Sequence, residues 1–266
     1  MSPLAGGDFA TATRVTATDG SVLFAKTHRN PPAGFFTTEA TGLTWLRDSG
    51  AVSIPEVLGV SDDPPFLLLS WVDVGQGNDT TEASLGRQLA ALHGTRQAQF
   101  GRIDNATTGS LSVPNLCCDS WDDFYATQRL LPLIESAAER DVFSLKERIA
   151  LEKIAANLCQ YNVPDEPPAL LHGDLWAGNR LVDQHGQSWL IDPAVHCGHR
   201  EFELGMMQLF GGFGDDCFAA YHETYPVEPG FRERLSLHQL APLVVHAIKF
   251  GGSYVGAVRT VIKQYT

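Results

Sequence analysis

Three oxygen-bearing side chains, Asp174, Asn179 and Asp192, stand close together in the stretch LLHGDLWAGNRLVDQHGQSWLIDPA, residues Leu170–Ala194. An Asp, an Asn five positions on and a second Asp beyond a short hairpin form the arrangement that phosphoryl transfer uses. Asn179 beside Asp192 offers the hard oxygen ligands that Mg²⁺ requires, with water and phosphate completing the shell. Asp174 lies in a loop entering the same mouth and has no basic neighbour in sequence, so it can accept a proton from an incoming hydroxyl. Any one of these residues alone reads equally well as a cap or turn residue. All three at this spacing, behind His172-Gly173, point to a phosphotransferase centre that takes ATP and Mg²⁺.

Such a centre needs elements to hold it. Arg180–Asp183 and Ser188–Ile191 read as strands around the turn Gln184–Gln187, a register that sets 180 opposite 191 and 179 opposite 192. In the N-terminal part, Thr11–Thr18 and Ser21–Thr27 flank Asp19-Gly20, the chemistry of a two-residue hairpin turn. Alternation puts Val22, Phe24 and Lys26 on one strand face. If that face lines a cleft, Phe24 is a wall for a nucleobase and Lys26 reaches the phosphates; a surface lysine at a strand end is the alternative. Thr38 can cap a helix running to Arg47, on which Glu39 shares a stripe with Leu43 and Leu46 and pairs with Lys26. A first-turn Glu favoured by the helix dipole is the plainer reading. Gly6-Gly7-Asp8 would be a phosphate-covering turn, and Ser70, Trp71 and Val72 an interlobe connection presenting backbone groups to an adenine edge.

Glu56–Val60 and Phe66–Ser70 are further strand candidates, and Val74–Asp79 reads as a linker. After it the helical period takes over. Asp79 with Glu82 is a capping-box candidate before Leu85, Leu89 and Leu92. A helix covers Trp121–Arg140, another opens at Ser144 and Glu147, and Gly211-Gly212 stops a later one. His93 reads as a satisfied core histidine. The expectation is an α+β, bilobal, protein-kinase-like fold. Residues 1–74 form an antiparallel β-sheet lobe with one helix, residues 75–266 a mainly helical lobe, and the ligand site lies in the cleft between them.

Composition narrows the partners. The 266 residues are 44% hydrophobic and 19% charged, with 31 acidic against 19 basic side chains and a formal charge of −12. Without clustered Lys and Arg, nucleic acid and anionic membrane are disfavoured. The five cysteines show no zinc spacing and read as reduced, packed or idle thiols. MSPLAGGDFA lacks the basic and apolar regions of a signal peptide, and a cytoplasmic setting is expected.

HGDLWAGN, His172 to Asn179, and DPAVHCGHREFELGMMQLFGGF, Asp192 to Phe213, resemble the fructosamine kinase (ketosamine 3-kinase) family, part of the aminoglycoside phosphotransferase and protein-kinase-like superfamily. Similar text recurs at GGDFATATRV, FAK, TTEATGL, FLLLSWV, LGRQLAALH, FGRIDN and HAIKFGGSY, nearly the whole chain. The resemblance implies ATP-dependent phosphorylation of the 3-hydroxyl of a ketosamine, free or on a protein lysine, whose phosphorylated adduct breaks down to free the amine. It implies Asp174 as base, Asn179 and Asp192 as Mg²⁺ ligands, and Lys26 on the ATP phosphates with Glu39 as partner. Trp176 looks like this family rather than its aminoglycoside- or choline-phosphorylating relatives. It is the best acceptor-site candidate among Trp176, Phe210, Phe213, His246 and Lys249. Glu203 stands where relatives commonly have Asp. Asp192 is followed by Pro193-Ala194, which keeps a metal ligand without a protein-kinase switch. Another small-molecule phosphotransferase, or a nucleotide-binding pseudokinase, is the alternative.

Overall fold

The structure, a computed structural model, describes residues 2–4, 10–109 and 111–266. In chain order it contains β1 (Ser2–Pro3), β2 (Thr11–Thr16), β3 (Val22–Thr27), α1 (Phe35–Asp48), β4 (Val57–Asp62), β5 (Pro65–Ser70) and α2 (Thr81–His93). Then follow α3 (Trp121–Phe124), a π-helical stretch Tyr125–Leu130, α4 (Leu131–Ala138), α5 (Leu145–Ala156), β6 (Ala169–Leu171), a 3₁₀ turn Ala177–Asn179, β7 (Arg180–Val182) and β8 (Ser188–Leu190). β9 (His196–Gly198), α6 (Arg200–Phe210), α7 (Asp215–Thr224), α8 (Phe231–His238), α9 (Leu240–Phe250) and α10 (Ser253–Tyr265) complete it. Two compact units result: residues 1–95, 172–195 and 212–225 form the first, and residues 96–171, 196–211 and 226–266 the second.

The first unit is built on an antiparallel sheet of order β1-β2-β3-β5-β4. The β2–β3 turn is not the two-residue type its Asp-Gly pair implies. Ala17 N–H donates to Ser21 O and Gly20 takes φ 90°, so Thr18, Asp19 and Gly20 make a three-residue loop and Arg14 falls opposite Phe24. α1 packs on β4 and β5 through buried Phe36, Ala40, Leu43 and Leu46. It begins at Phe35, earlier than a Thr38 cap predicts. Gly34 already turns the chain at φ 72°, and Thr38 N–H donates to the Gly34 carbonyl as a helix-interior residue.

α2 buries Leu85, Leu89 and Leu92 as the period requires. Its start differs from the Asp79–Glu82 box: Thr80 is the N-cap, Asn78 Oδ1 accepts the Thr80 N–H, and Glu82 bonds elsewhere. α2 meets α7 at Gly86. A Cβ there would sit 2.0 Å from the Cys217 carbonyl oxygen, so the two backbones touch only because the side chain is missing.

In the second unit, the helix expected over Trp121–Arg140 is interrupted. Pro132 has no N–H and its ring crowds the carbonyl four residues back, and the π-helical stretch widens the backbone just before it. The released Gln128 carbonyl accepts from Arg129 Nη1 instead, at 2.9 Å. α5 opens at Ser144 as predicted and closes its start with a capping box, Ser144 N–H donating to Glu147 Oε2 at 2.8 Å and Glu147 N–H to Ser144 Oγ. α6 stops at Gly211, φ 70°, as predicted. Phe124, Tyr125, Leu151, Ile154, Leu237, Val244 and Val258 form its core. The five cysteines are unpaired thiols. Among the described residues no helix is long and apolar enough to cross a membrane.

Candidate active site

Lys26, on the β3 face shared with Phe24, places Nζ 2.7 Å from Glu39 Oε1 and 2.6 Å from Asp192 Oδ1. The helix–strand pair predicted from the Glu39 stripe therefore forms. The Lys26 and Glu39 side chains are each 10% exposed and that of Asp192 36% exposed. Burial pulls the Lys26 ammonium down, yet the charges of Glu39 and then Asp192 outweigh it and leave Lys26 above the ordinary lysine value. Burial, opposed by Lys26 and aided by Asp192, raises the Glu39 carboxyl. Two carboxylates here share one ammonium. Asp192 holds φ 54°, a left-handed conformation that a non-glycine residue adopts at some cost, the kind of strain that concentrates at functional sites.

The hairpin that delivers Asp192 has a different register from the one expected. Arg180 pairs with Leu190 and Val182 with Ser188, and Asp183 N–H donates to the Gln187 carbonyl at 2.9 Å, so residues 184–186 form a three-residue loop. Asp183 braces this loop: its carboxylate accepts the N–H groups of His185 and Gln187 and the indole N–H of Trp189. Asn179 and Asp192 meet nonetheless. Ile191 N–H donates to the Asn179 carbonyl at 3.0 Å, and Asn179 Nδ2 donates to the Asp192 carbonyl at 3.3 Å.

Asn179 Nδ2 also donates to the Asp174 carbonyl at 2.8 Å and to Asp174 Oδ2 at 3.1 Å. With its nitrogen committed to three oxygens, buried Asn179 keeps Oδ1 as the end able to ligate a cation. His172 fixes the approach to Asp174: its Nδ1 accepts the Asp174 N–H at 3.3 Å, while its Nε2 faces the Ile191 carbonyl at 2.9 Å and carries the proton. Its carbonyl accepts from Ala194 N–H, which braces the backbone after Asp192. The Asp-Asn-Asp spacing thus converges, and Lys26 joins it.

Gly6 and Gly7, the expected phosphate-covering turn, lie outside the described residues. Phe24 is half-buried opposite Leu69. Ser70 is tied to Glu56 by two hydrogen bonds and Val72 is buried. Trp71 donates its indole N–H to Asp73 at 3.0 Å and lies 5.3 Å from the guanidinium of Arg14, a residue that sequence reasoning passed over. The β2–β3 register is the signal that finds it: Arg14 shares the Phe24–Lys26 face. Trp176 is 41% exposed, with its ring over Gly178, where a Cβ would lie 2.4 Å from the indole. His246 and Phe210 instead pack together in the second unit, ring centroids 4.4 Å apart. His93 bonds Tyr221 Oη at 2.8 Å in the core, as expected.

Buried His199, Glu201 and His238, in the second unit, have spacing that could hold a metal ion. Most of their polar atoms are already paired, and His238 Nδ1 is buried without a hydrogen-bond partner among the described residues. The Arg234 fork and His238 Nε2 cover both Glu201 oxygens, and His199 Nδ1 accepts the Glu201 N–H while Nε2 faces the Pro164 carbonyl. Burial would raise the Glu201 carboxyl, but the Arg234 and His238 hydrogen bonds hold it at about 2. Burial, reinforced by His238, drops the His199 imidazole to about 3, so it is neutral at physiological pH. This is a buried polar lock in which both Glu201 oxygens are taken.

The fructosamine kinase profile matches residues 1–266. A protein named "Probable ketoamine kinase" from Lactiplantibacillus plantarum is 36% identical, over 100% of this chain and 94% of its own length. The chloroplastic protein-ribulosamine 3-kinase of Oryza sativa subsp. japonica is 30% identical, over 98% of this chain and 77% of its own. The crystal structure of a "putative fructosamine-3-kinase" from Thermobifida fusca superposes with a TM-score of 0.91 at 35% identity, covering 99% of this chain and 92% of that one. Choline kinase of Streptococcus pneumoniae, at 13% identity and a TM-score of 0.65, shares the kinase-like α+β fold alone. The chain belongs to the fructosamine kinase family and is an ATP-dependent phosphotransferase of ketosamines.

Proposed function

We propose that the enzyme transfers the γ-phosphoryl group of ATP to the 3-hydroxyl of a ketosamine, free or carried on a protein lysine, with Asp174 as the general base. The observation that carries this reading is the convergence of Asp174, Asn179, Asp192 and Lys26 within one compact unit. The residues fit a divalent cation: two carboxylates against one ammonium leave a negative surplus, Asp192 is partly exposed, and Asn179 has an amide oxygen to offer. Asn179 and Asp192 would hold Mg²⁺, which, when bound, neutralises charge on the phosphate oxygens.

The remaining work falls to the chain's own groups. Lys26, positioned by Glu39, turns from Asp192 to the phosphates and adds a positive charge there. Phe24 and the Ser70–Val72 connection offer an apolar wall and backbone groups to the adenine. Trp176, exposed beside Asp174, provides a face for the sugar. Asp174, whose Oδ2 is steered by Asn179, takes the proton from the attacking hydroxyl as the phosphorus–oxygen bond forms and ADP leaves. Residues 1–74 and 75–266 then act as the nucleotide and acceptor sides.

Mass spectrometry of fructosyl-lysine and ribulosyl-lysine incubated with the enzyme and Mg·ATP tests this. One added phosphoryl group, followed by free lysine, is the expected result. ADP release with choline or an aminoglycoside but with neither ketosamine would overturn the acceptor class.

A further inference from the structure

One ion pair in the first unit has no part in the chemistry above, yet it is built around the same loop. Arg180 follows Asn179 directly, and its side chain is only 6% exposed. Its Nη1 lies 2.6 Å from Glu82 Oε1, and its Nε donates to Ser188 Oγ at 3.1 Å. Nη1 also reaches the Gly212 carbonyl at 3.4 Å, and the guanidinium carbon stands 5.7 Å from the centre of the Phe213 ring. The second Glu82 oxygen accepts the Gly214 N–H at 2.7 Å. Arginine and glutamate thus grip the tripeptide Gly212-Phe213-Gly214 from its two ends.

The other side of that tripeptide touches the catalytic loop. Gly212 holds φ 92°, and a Cβ on it would lie 2.2 Å from Ala177 Cβ and 2.9 Å from Ala177 Cα. Ala177 stands between Gly178 and Trp176, the residue that carries the exposed indole. Arg180 Nη2 is buried without a hydrogen-bond partner among the described residues. An orphan guanidinium nitrogen is costly, and a pair serving stability alone gains nothing from it; such groups are kept where position matters more.

We infer that Arg180 and Glu82 are positioning residues for the acceptor: they press the Gly212–Gly214 loop against Ala177, so that Phe213 and Trp176 form two walls of the ketosamine pocket. The inference rests on the reading of Asp174 and Trp176 as acceptor-side residues. It assigns specificity to a pair that touches neither nucleotide nor reacting atoms. Sugar hydroxyls give little binding energy of their own in water, so an acceptor site of this kind depends on where its walls stand.

Initial-rate kinetics with ribulosyl-lysine, varied against fixed Mg·ATP and the converse, read the effect. Glu82→Gln, Arg180→Met and Phe213→Ala should each raise the ketosamine KM on the order of tenfold, with kcat and the ATP KM within about twofold. Arg180→Lys, which keeps the charge opposite Glu82, should recover part of the loss. Gly212→Ala leaves the ion pair intact but forces the loop off Ala177, and should raise the same KM; it keeps the question answerable if Arg180→Met does not fold. If Trp176→Ala raises the ketosamine KM while Glu82→Gln, Phe213→Ala and Gly212→Ala leave it unchanged, the positioning role is wrong and the active-site reading stands. If Trp176→Ala also leaves it unchanged, the acceptor-side reading itself has failed. An equal rise in the ATP KM would make the pair a general brace of the catalytic loop and overturn the assignment.

Discussion

Two charge clusters, one in each unit, use the same chemistry to opposite ends. Around Lys26 one ammonium faces two carboxylates, one of them partly exposed and in a strained backbone conformation. Around Glu201 one guanidinium faces one carboxylate, two imidazoles add hydrogen bonds, and Glu201 and both imidazoles are sealed from solvent. The first cluster is unbalanced by a negative charge and open on one side, so it can take up a cation and release its lysine to a polyanion. The second is sealed from solvent with both Glu201 oxygens already paired, so a cation could reach that carboxylate only by displacing Arg234. Spacing alone does not distinguish them. The count of charges against donors, and the exposure of one member, does.

That contrast can be broken at its strongest point first. Asp174→Asn keeps the partner of Asn179 Nδ2 but loses the base, and should lower kcat by roughly 10²–10⁴-fold with ATP affinity nearly unchanged. Single-turnover kinetics and calorimetry with a non-hydrolysable nucleotide measure the two separately. Full turnover would remove Asp174 from the chemistry. In the closed cluster, Glu201→Gln strands Arg234 and should cost about 3–5 kcal/mol of stability without altering kcat of the folded enzyme, by denaturant titration and active-site-normalised rates. A stability loss below about 1 kcal/mol would mean that the lock is not closed as described.

Asp192→Asn tests the open cluster more gently. It should weaken Mg·ATP binding on the order of tenfold to a hundredfold while leaving stability close to wild type, since Lys26 retains Glu39. Retained affinity would argue against a cation on Asp192. The pH dependence of stability then sharpens the closed side. His199 titrates at about 3 when folded against an ordinary 6.5, so the unfolded chain binds the extra proton between those values. The contribution is complete above pH 6.5 and lost as pH falls toward 3, roughly 2 kcal/mol of it by pH 5. Glu201, held at about 2 against 4.5, adds loss of the same sign at lower pH. Denaturation midpoints at pH 7 and 5 should differ in wild type and converge in His199→Gln; equal slopes in both would refute the neutral buried imidazole. The smallest effect is expected far from either cluster. Ser144→Ala removes the α5 capping box and should cost about 1 kcal/mol, a shift of a few degrees in Tm.

Much of the open cluster was legible in the chain, because Asp174, Asn179 and Asp192 are carried by one short loop and its hairpin, and Lys26 and Glu39 by neighbouring elements. The local α5 cap was legible for the same reason. Other readings failed where a distant partner decides. Glu82 looks like half of a capping box, but its bonds are to Arg180 and to Gly214, 132 positions away. Arg234 and His238 reach Glu201 across 33 and 37 positions, and no periodicity announces them. The hairpin register failed on a smaller scale, since one Asp183 carboxylate collecting three N–H groups braces a three-residue loop in place of the expected four-residue turn. Gly20 likewise favours the three-residue loop because its left-handed φ supplies the bulge that a longer turn needs.

The contact at Gly86, where α2 and α7 touch backbone to backbone, also bears on the order in which the protein can be made. α7 belongs to the first unit but is encoded more than a hundred residues after α2. The sheet and α2 therefore leave the ribosome with one face of α2 bare, and only the second and third segments of the unit, ending at residue 225, can cover it. The first unit begins to be synthesised first and is completed late, after most of the other unit has emerged. In the interval Leu85, Leu89 and Leu92 are candidates for chaperone capture, and a nascent chain stalled before residue 212 should carry a sheet that has formed and an active site that has not.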